Sequence, residues 1–277
     1  VTLISARITV QTLKSKQSPL GYGAHIVSRA DRFGRILELL ARDGSVSVVA
    51  LAGDLGVSEA TVRRDLQLLA EQRLLERSHG GAVAQGTAHE LPVRYRTGRS
   101  DEKQQIARAA AELVEEGMAI GLTGGTTTTE VARVLAARHD LTVVTNALNI
   151  AVELAVRANL KLIVTGGVAR SASYELVGPL ADATLQSVYV DLAFVGVDGI
   201  HAARGLTTQN EVEAATDRAL ITRAGRTVVV ADGSKLGRVA FAFIAALDQI
   251  DELLTDAGAD PDEVERLREA GLRVTLV

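Results

Sequence analysis

The chain has 277 residues, enough for two domains at ~100–200 residues each. Hydrophobic residues make up 47% and charged residues 23%, a soluble globular balance that excludes global disorder. With no cysteine, a disulfide framework, thiolate metal sites and a cysteine nucleophile are excluded, and a reducing cytosol is the expected compartment.

The net charge of −4 is unevenly spread. Residues 1–85 carry 11 basic and 8 acidic side chains, and the rest carry 19 and 26. A slightly basic front and an acidic rear suggest two jobs. The longest apolar run, Val239–Leu247, is far below the ~18 residues of a membrane span. Lys14 and Lys16 are not followed by a long apolar stretch, so no secretory signal is expected.

Residues 1–28 read as an extension. Ser18-Pro19 and Gly21-Tyr22-Gly23 break any helical period. The expectation is a mobile arm or a start-site artefact, with a short DNA-contacting arm as an alternative that no residue singles out.

Phe33, Ile36, Leu37 and Leu40 follow helical spacing up to Asp43-Gly44. A second helix covers about Val48–Leu55 and ends at Gly56. Ser58 then stands at an N-cap position before a third helix carrying Val62, Leu66 and Leu69. A short strand, the glycine turn of Ser78-His79-Gly80-Gly81 and a return strand follow. Three helices and a β-wing in about 55 residues make a winged helix-turn-helix plan over 29–84.

In that plan Gly56 permits the inter-helix turn, and Val57, Val62 and Leu66 pin the third helix to the core. Ser58, Glu59, Ala60, Thr61, Arg63 and Arg64 are left on the N-terminal half that meets base edges in the major groove. An arginine there either pairs with guanine or clamps a phosphate. In the wing, Arg77, His79 and Gly80 reach the flanking backbone or minor groove. A blander alternative has Arg63, Arg64, Arg73 and Arg77 merely paired with Glu59, Asp65, Glu71 and Glu76 on a solvated face.

Residues 85–100 read as a linker into a helix near Asp101–Glu115. From Met118 onward short apolar strands alternate with helices. The strands expected are Ala119–Leu122, Leu141–Thr145, Leu160–Val164, Leu192–Val195, Thr227–Ala231 and Leu253–Thr255. The helices are Thr127–Ala137, Ala147–Arg157, Pro179–Val188, Glu211–Arg223 and Asp262–Glu269. This alternation over 101–277 predicts a Rossmann-like parallel sheet covered on both faces, with ligands at the carboxyl ends of its strands.

The residues at those ends suit a phosphorylated polyhydroxy ligand. Gly124, Gly125, Thr126 and Thr127 open a helix after the first strand and offer donors to an anion. The same turn could simply cap its helix. Asn146, Gly167, Arg170, Asp198 and Lys235 follow later strands and supply amide, carboxylate and cation. The loop has neither the Walker A ending nor a dinucleotide fingerprint, and no cofactor or metal is expected.

Ser58-Glu59-Ala60-Thr61-Val62-Arg63-Arg64-Asp65-Leu66, followed by Glu76-Arg77-Ser78-His79-Gly80-Gly81-Ala82, resembles the N-terminal signature of the DeoR family of bacterial transcriptional regulators. The rear half resembles that family's sensor domain through Thr145-Asn146-Ala147, Gly166-Gly167, Gly178-Pro179, Gly205-Leu206-Thr207 and Asp232-Gly233-Ser234-Lys235. The resemblance covers about residues 29–256. It implies operator binding, most often in repression of sugar or polyol catabolic genes. Paired half-sites mirror two-fold symmetry, so a homodimer is the smallest useful form and a larger homo-oligomer stays open. The resemblance also implies a sensor related to ribose-5-phosphate isomerase that binds a phosphorylated sugar or glycolytic intermediate.

Two departures stand out. Thr123 and Gly124 replace the family's usual Asp-Ser, and Asp217 stands where a basic residue is common. Asp217 with Lys235 keeps open an alternative, an aldose–ketose phosphate isomerase fused to a DNA-binding head.

Overall fold

The computed structural model describes residues 28–84, 92–93 and 100–277. The extension up to residue 27 and most of the 85–100 linker lie outside the described residues.

Helix α1 (Arg29–Asp43) starts on a capping box between Ser28 and Asp31 and stops where Gly44 turns left-handed. Strand β1 (Ser45–Ser47) leads to α2 (Val48–Leu55), and α3 (Glu59–Glu71) follows the Gly56 turn. Strands β2 (Glu76–Ser78) and β3 (Gly81–Val83) form the wing. The sheet order is β1-β3-β2, so the wing has a third strand that a three-residue segment gave no periodicity to reveal. Gly81 is obligatory, because a Cβ there would fall 2.0 Å from the Val46 carbonyl oxygen. Ile36, Leu51, Val62, Leu66 and Leu69 close one small core. Arg32 ties α1 to α3 through a two-pronged pair with buried Asp65, at 2.7 and 3.1 Å.

The second unit begins with α4 (Ser100–Glu112), which starts one residue and ends three residues earlier than expected. It continues through β4 (Ala119–Leu122), α5 (Thr126–Leu135), β5 (Leu141–Thr145), α6 (Leu148–Leu154) and β6 (Leu160–Val164). A hairpin of β7 (Val168–Ala169) and β8 (Leu176–Val177) precedes α7 (Pro179–Gln186) and β9 (Val190–Val195). Then come β10 (Gly199–His201), β11 (Gly205–Thr208), α8 (Glu211–Ile221), β12 (Ala224–Val230) and β13 (Ala242–Ala245). The chain finishes with β14 (Glu252–Thr255), α9 (Pro261–Glu269) and β15 (Arg273–Leu276).

Seven of these strands form one parallel sheet, ordered β15-β14-β12-β9-β4-β5-β6. Apolar clusters pack on both of its faces, as expected for near-continuous apolar strands. The chain runs outward from β4 to β6, then returns to β9 beside β4 and runs outward the other way. The β4–β9 boundary is therefore the topological switch point, where open parallel sheets hold ligands. A small antiparallel sheet, β10-β11-β13, stands at that end. It contains the middle of the Val239–Leu247 run and leaves Phe241 and Phe243 exposed.

Candidate nucleic-acid interface and effector pocket

Recognition helix α3 is set by its cap and its apolar stripe. The Ser58 hydroxyl accepts from the Thr61 N–H at 3.2 Å, and Val62, Leu66 and Leu69 are fully buried. Ser58, Glu59, Ala60, Arg63 and Arg64 are thereby left exposed, with Thr61 half-buried at the edge.

The charge-cancelling alternative holds only in part. Asp65 faces inward to Arg32. Arg63 donates to Glu59 at 2.5 Å, but both side chains are about half exposed, and such i,i+4 pairs contribute only ~0.3–0.5 kcal/mol. Arg64 is exposed and has no ion pair or hydrogen bond among the described residues. Arg77 of the wing donates to the Gln67 side chain at 2.8 Å, and exposed His79 and Gly80 form the wing turn. Gln67 was missed from sequence. Its signal was its place one helical turn beyond Arg63 and Arg64.

At the switch point, Gly125 caps α5 with φ 121°. The first turn of a helix leaves N–H groups without intrahelical partners. The Thr128 and Thr129 hydroxyls donate back to the Gly125 carbonyl at 3.0 and 2.6 Å. Thr126 and Thr127 instead line an open cleft of about 820 Å³, together with Gly125, Asp198 and Lys235. Lys103, Asp232, Ser234 and Arg238 also border it, as do Glu38 and Arg42 of α1. The Lys235 ammonium lies 3.8 Å from the Asp198 carboxylate. Asp232 shapes the turn before Lys235, accepting from the Ser234 N–H and hydroxyl at 3.0 and 2.5 Å.

Four expected residues fall outside that cleft, Gly124 among them, which borders the recess described below. Gly167 (φ 123°) packs against Val177 and Ala181, where a Cβ would meet the Val177 carbonyl at 2.8 Å. Arg170 is engaged by the buried Glu213 carboxylate. Asn146 is buried behind β4 and β5, and neither atom of its amide has a hydrogen-bond partner.

Beneath the Gly124-Gly125 turn is a smaller recess of about 40 Å³, lined among others by Glu175, Asp198, Thr208, Glu213 and Asp217. Thr208 donates to Asp198 at 3.2 Å and to Glu213 at 3.3 Å. A Cβ on Gly124 would fall 2.1 Å from the Glu175 carboxylate, so Glu175 fills the space that a side chain at 124 would take. Burial, then the neighbouring Asp217 and Glu213, pushes the Glu175 carboxyl well above its usual range. Burial, then Glu213 and Asp198, does the same to Asp217. Glu175 and Glu213 were not anticipated. They reach the recess from the approach to β8 and the start of α8, and only the fold brings them together. Among the described residues no group of three acidic or histidine side chains could hold a metal ion, and no helix is long and apolar enough to cross a membrane.

A winged reading head joined in one chain to a sheet with a switch-point cleft defines the class: a helix-turn-helix transcriptional regulator with its own sensor module. The chain belongs to the DeoR family. Residues 32–87 match the DeoR-like helix-turn-helix domain, and residues 99–257 match the DeoR C terminal sensor domain. The HTH-type transcriptional regulator GlpR of Haloferax volcanii is 39% identical over 247 residues, 88% of this chain and 96% of that protein. The glycerol-3-phosphate regulon repressor of Escherichia coli K12 is 33% identical over 232 residues, 83% and 92% of the two chains. Among solved structures, ribose 5-phosphate isomerase A from Methanocaldococcus jannaschii aligns with a TM-score of 0.38 at 23% identity, over 50% of this chain and 55% of that one. A likeness of that size carries no chemistry across.

Proposed function

We propose that this protein represses carbohydrate catabolic genes and is controlled by a phosphorylated sugar or glycolytic intermediate bound at the β4–β9 switch point. Ser58, Glu59, Ala60, Thr61, Arg63 and Arg64 enter the major groove of the operator, while Arg77, His79 and Gly80 hold the flanking backbone. The observation that carries this reading is the open face of α3: among the described residues, Arg64 has no ion pair and Arg63 is held only by the exposed Glu59. DNA phosphates or guanines can take both without unfolding anything. Paired half-sites mirror two-fold symmetry, so the working form is at least a homodimer.

In the sensor, Gly124, Gly125, Thr126 and Thr127 cradle the phosphate with Lys235, and Asp198 takes a hydroxyl. Asn146, Gly167 and Arg170 act from behind, Arg170 by fixing Glu213. The relative named for a glycerol-3-phosphate regulon supports a phosphorylated small effector. The domain senses rather than catalyses.

The test is a gel-shift titration on the DNA upstream of the protein's own gene, with and without sugar phosphates. At least one sugar phosphate is expected to change affinity by about 5–150-fold, the ~1–3 kcal/mol usual for coupled sites. Lys235→Ala is expected to blunt that response. Turnover of ribose 5-phosphate to ribulose 5-phosphate would instead favour the isomerase reading.

A further inference from the structure

Among the described residues, carboxyls outnumber cations around the recess under the Gly124-Gly125 turn. Arg170 engages Glu213 and Lys235 stands beside Asp198. Glu175 and Asp217 have no cation beside them among the described residues. Among the described residues, Asp217 Oδ1 has no hydrogen-bond partner at 3% exposure, and neither has any atom of the Asn146 amide at the same exposure. These two side chains share a narrow gap with Thr123 and Thr145, and Asp217 also faces the recess. Buried polar groups are normally satisfied; Asp217 Oδ1 is an acceptor on a residue that borders the recess, and it marks a place for a donor that arrives with a ligand.

The recess shares Gly125, Gly196, Val197 and Asp198 with the larger cleft, so one molecule can reach both. Its size suits a single small polar group. A metal ion is disfavoured, because no suitable set of ligands converges among the described residues. A hydroxyl would bring one donor and no charge. An ammonium brings three donors and a compensating charge.

We infer that the recess walled by Glu175, Glu213 and Asp217 receives a protonated primary amine of the bound phosphate ester, so that the effector class is an amino-sugar phosphate. The inference rests on the effector reading above and narrows it. Binding would let the two uncompensated carboxyls ionise, so protons would leave the complex as the amine enters.

The experiment uses the full chain with glucosamine 6-phosphate, galactosamine 6-phosphate, their neutral counterparts glucose 6-phosphate and galactose 6-phosphate, and inorganic phosphate. Affinities come from thermal shift and calorimetry at pH 7.5, with calorimetry repeated in two buffers of different ionisation enthalpy. At least one amino sugar is expected to bind about tenfold or more tighter than its neutral counterpart, the size of one charge-assisted contact, with net proton release. In Asp217→Asn that preference is expected to collapse toward parity, with operator binding as the folding control. The wild-type proton count stands as evidence even if that variant is poorly folded. Neutral sugar phosphates binding as tightly as amino ones, without proton release, would overturn the amine assignment and leave the effector reading intact. Silence from every phosphorylated probe would overturn both.

Discussion

The two functional surfaces of this protein are built on opposite terms. The α3 face is exposed, comes from one short stretch of sequence and holds its charges loosely: Arg63 pairs only with exposed Glu59, and Arg64 with nothing described. The sensor recess is buried, draws on residues from 124 to 217 and crowds carboxyls until two of them resist ionisation. A surface that must meet many phosphates gains from leaving cations available. A pocket that must distinguish one small molecule gains from polar groups that only that molecule satisfies.

Three substitutions sharpen or break this contrast. The largest effect is expected from Asp65→Ala, which removes the buried carboxylate that ties Arg32 of α1 to α3. A loss of about 3–5 kcal/mol in the stability of the reading head is expected, seen in chemical denaturation and accompanied by loss of DNA binding. Ordinary stability in that variant would mean that the α1–α3 tie does not hold the helix in place. Next is Gly124→Ala, whose Cβ would fall on the Glu175 carboxylate. Overpacking of about 1–3 kcal/mol is expected. Combining it with Glu175→Ala should recover the loss, and additive losses would count against the packing explanation.

The smallest effect concerns pH. Glu175 and Asp217 hold their protons in the folded chain where the unfolded chain, with carboxyls near ~4, has released them. Stability from this source is therefore full below the unfolded value and falls as pH rises toward the folded values. Asp217→Asn should remove part of that fall. Its melting midpoint should exceed the wild type's near pH 8 by about 2–4 °C for each kcal/mol relieved, with the difference fading toward pH 4.

The legibility of these regions follows the same division. The bounds of α2 and the start of α3 could be read from Ser58, Gly56 and the Val62-Leu66-Leu69 stripe, because caps and periodicity are local. Strands β4, β5 and β6 were legible as apolar runs. The two- to four-residue strands β1, β7, β8, β10 and β11 were not, since so few residues carry no period, and β15 lay beyond the last helix read. Thr126, Thr127, Asp198 and Lys235 could be placed at one sheet edge by their position after strands. Glu175 and Glu213 could not, because Glu175 lies before a two-residue strand and Glu213 looks like an ordinary first-turn acid of α8. Gly167 shows a second layer that sequence cannot rank: it follows a strand as a ligand-binding glycine would, and it also packs closely against Val177.

The central claim is that the exposed face of α3 reads duplex DNA, and its most direct test is an equilibrium titration. Wild type and the Arg63→Ala and Arg64→Ala variants would be titrated by fluorescence anisotropy against the DNA upstream of the protein's own gene and against scrambled DNA. Each variant is expected to bind the upstream DNA about 5–150-fold more weakly, at ~1–3 kcal/mol for each lost contact, with unchanged melting behaviour and reduced preference over scrambled DNA. Wild-type affinity and preference in both variants would contradict the claim.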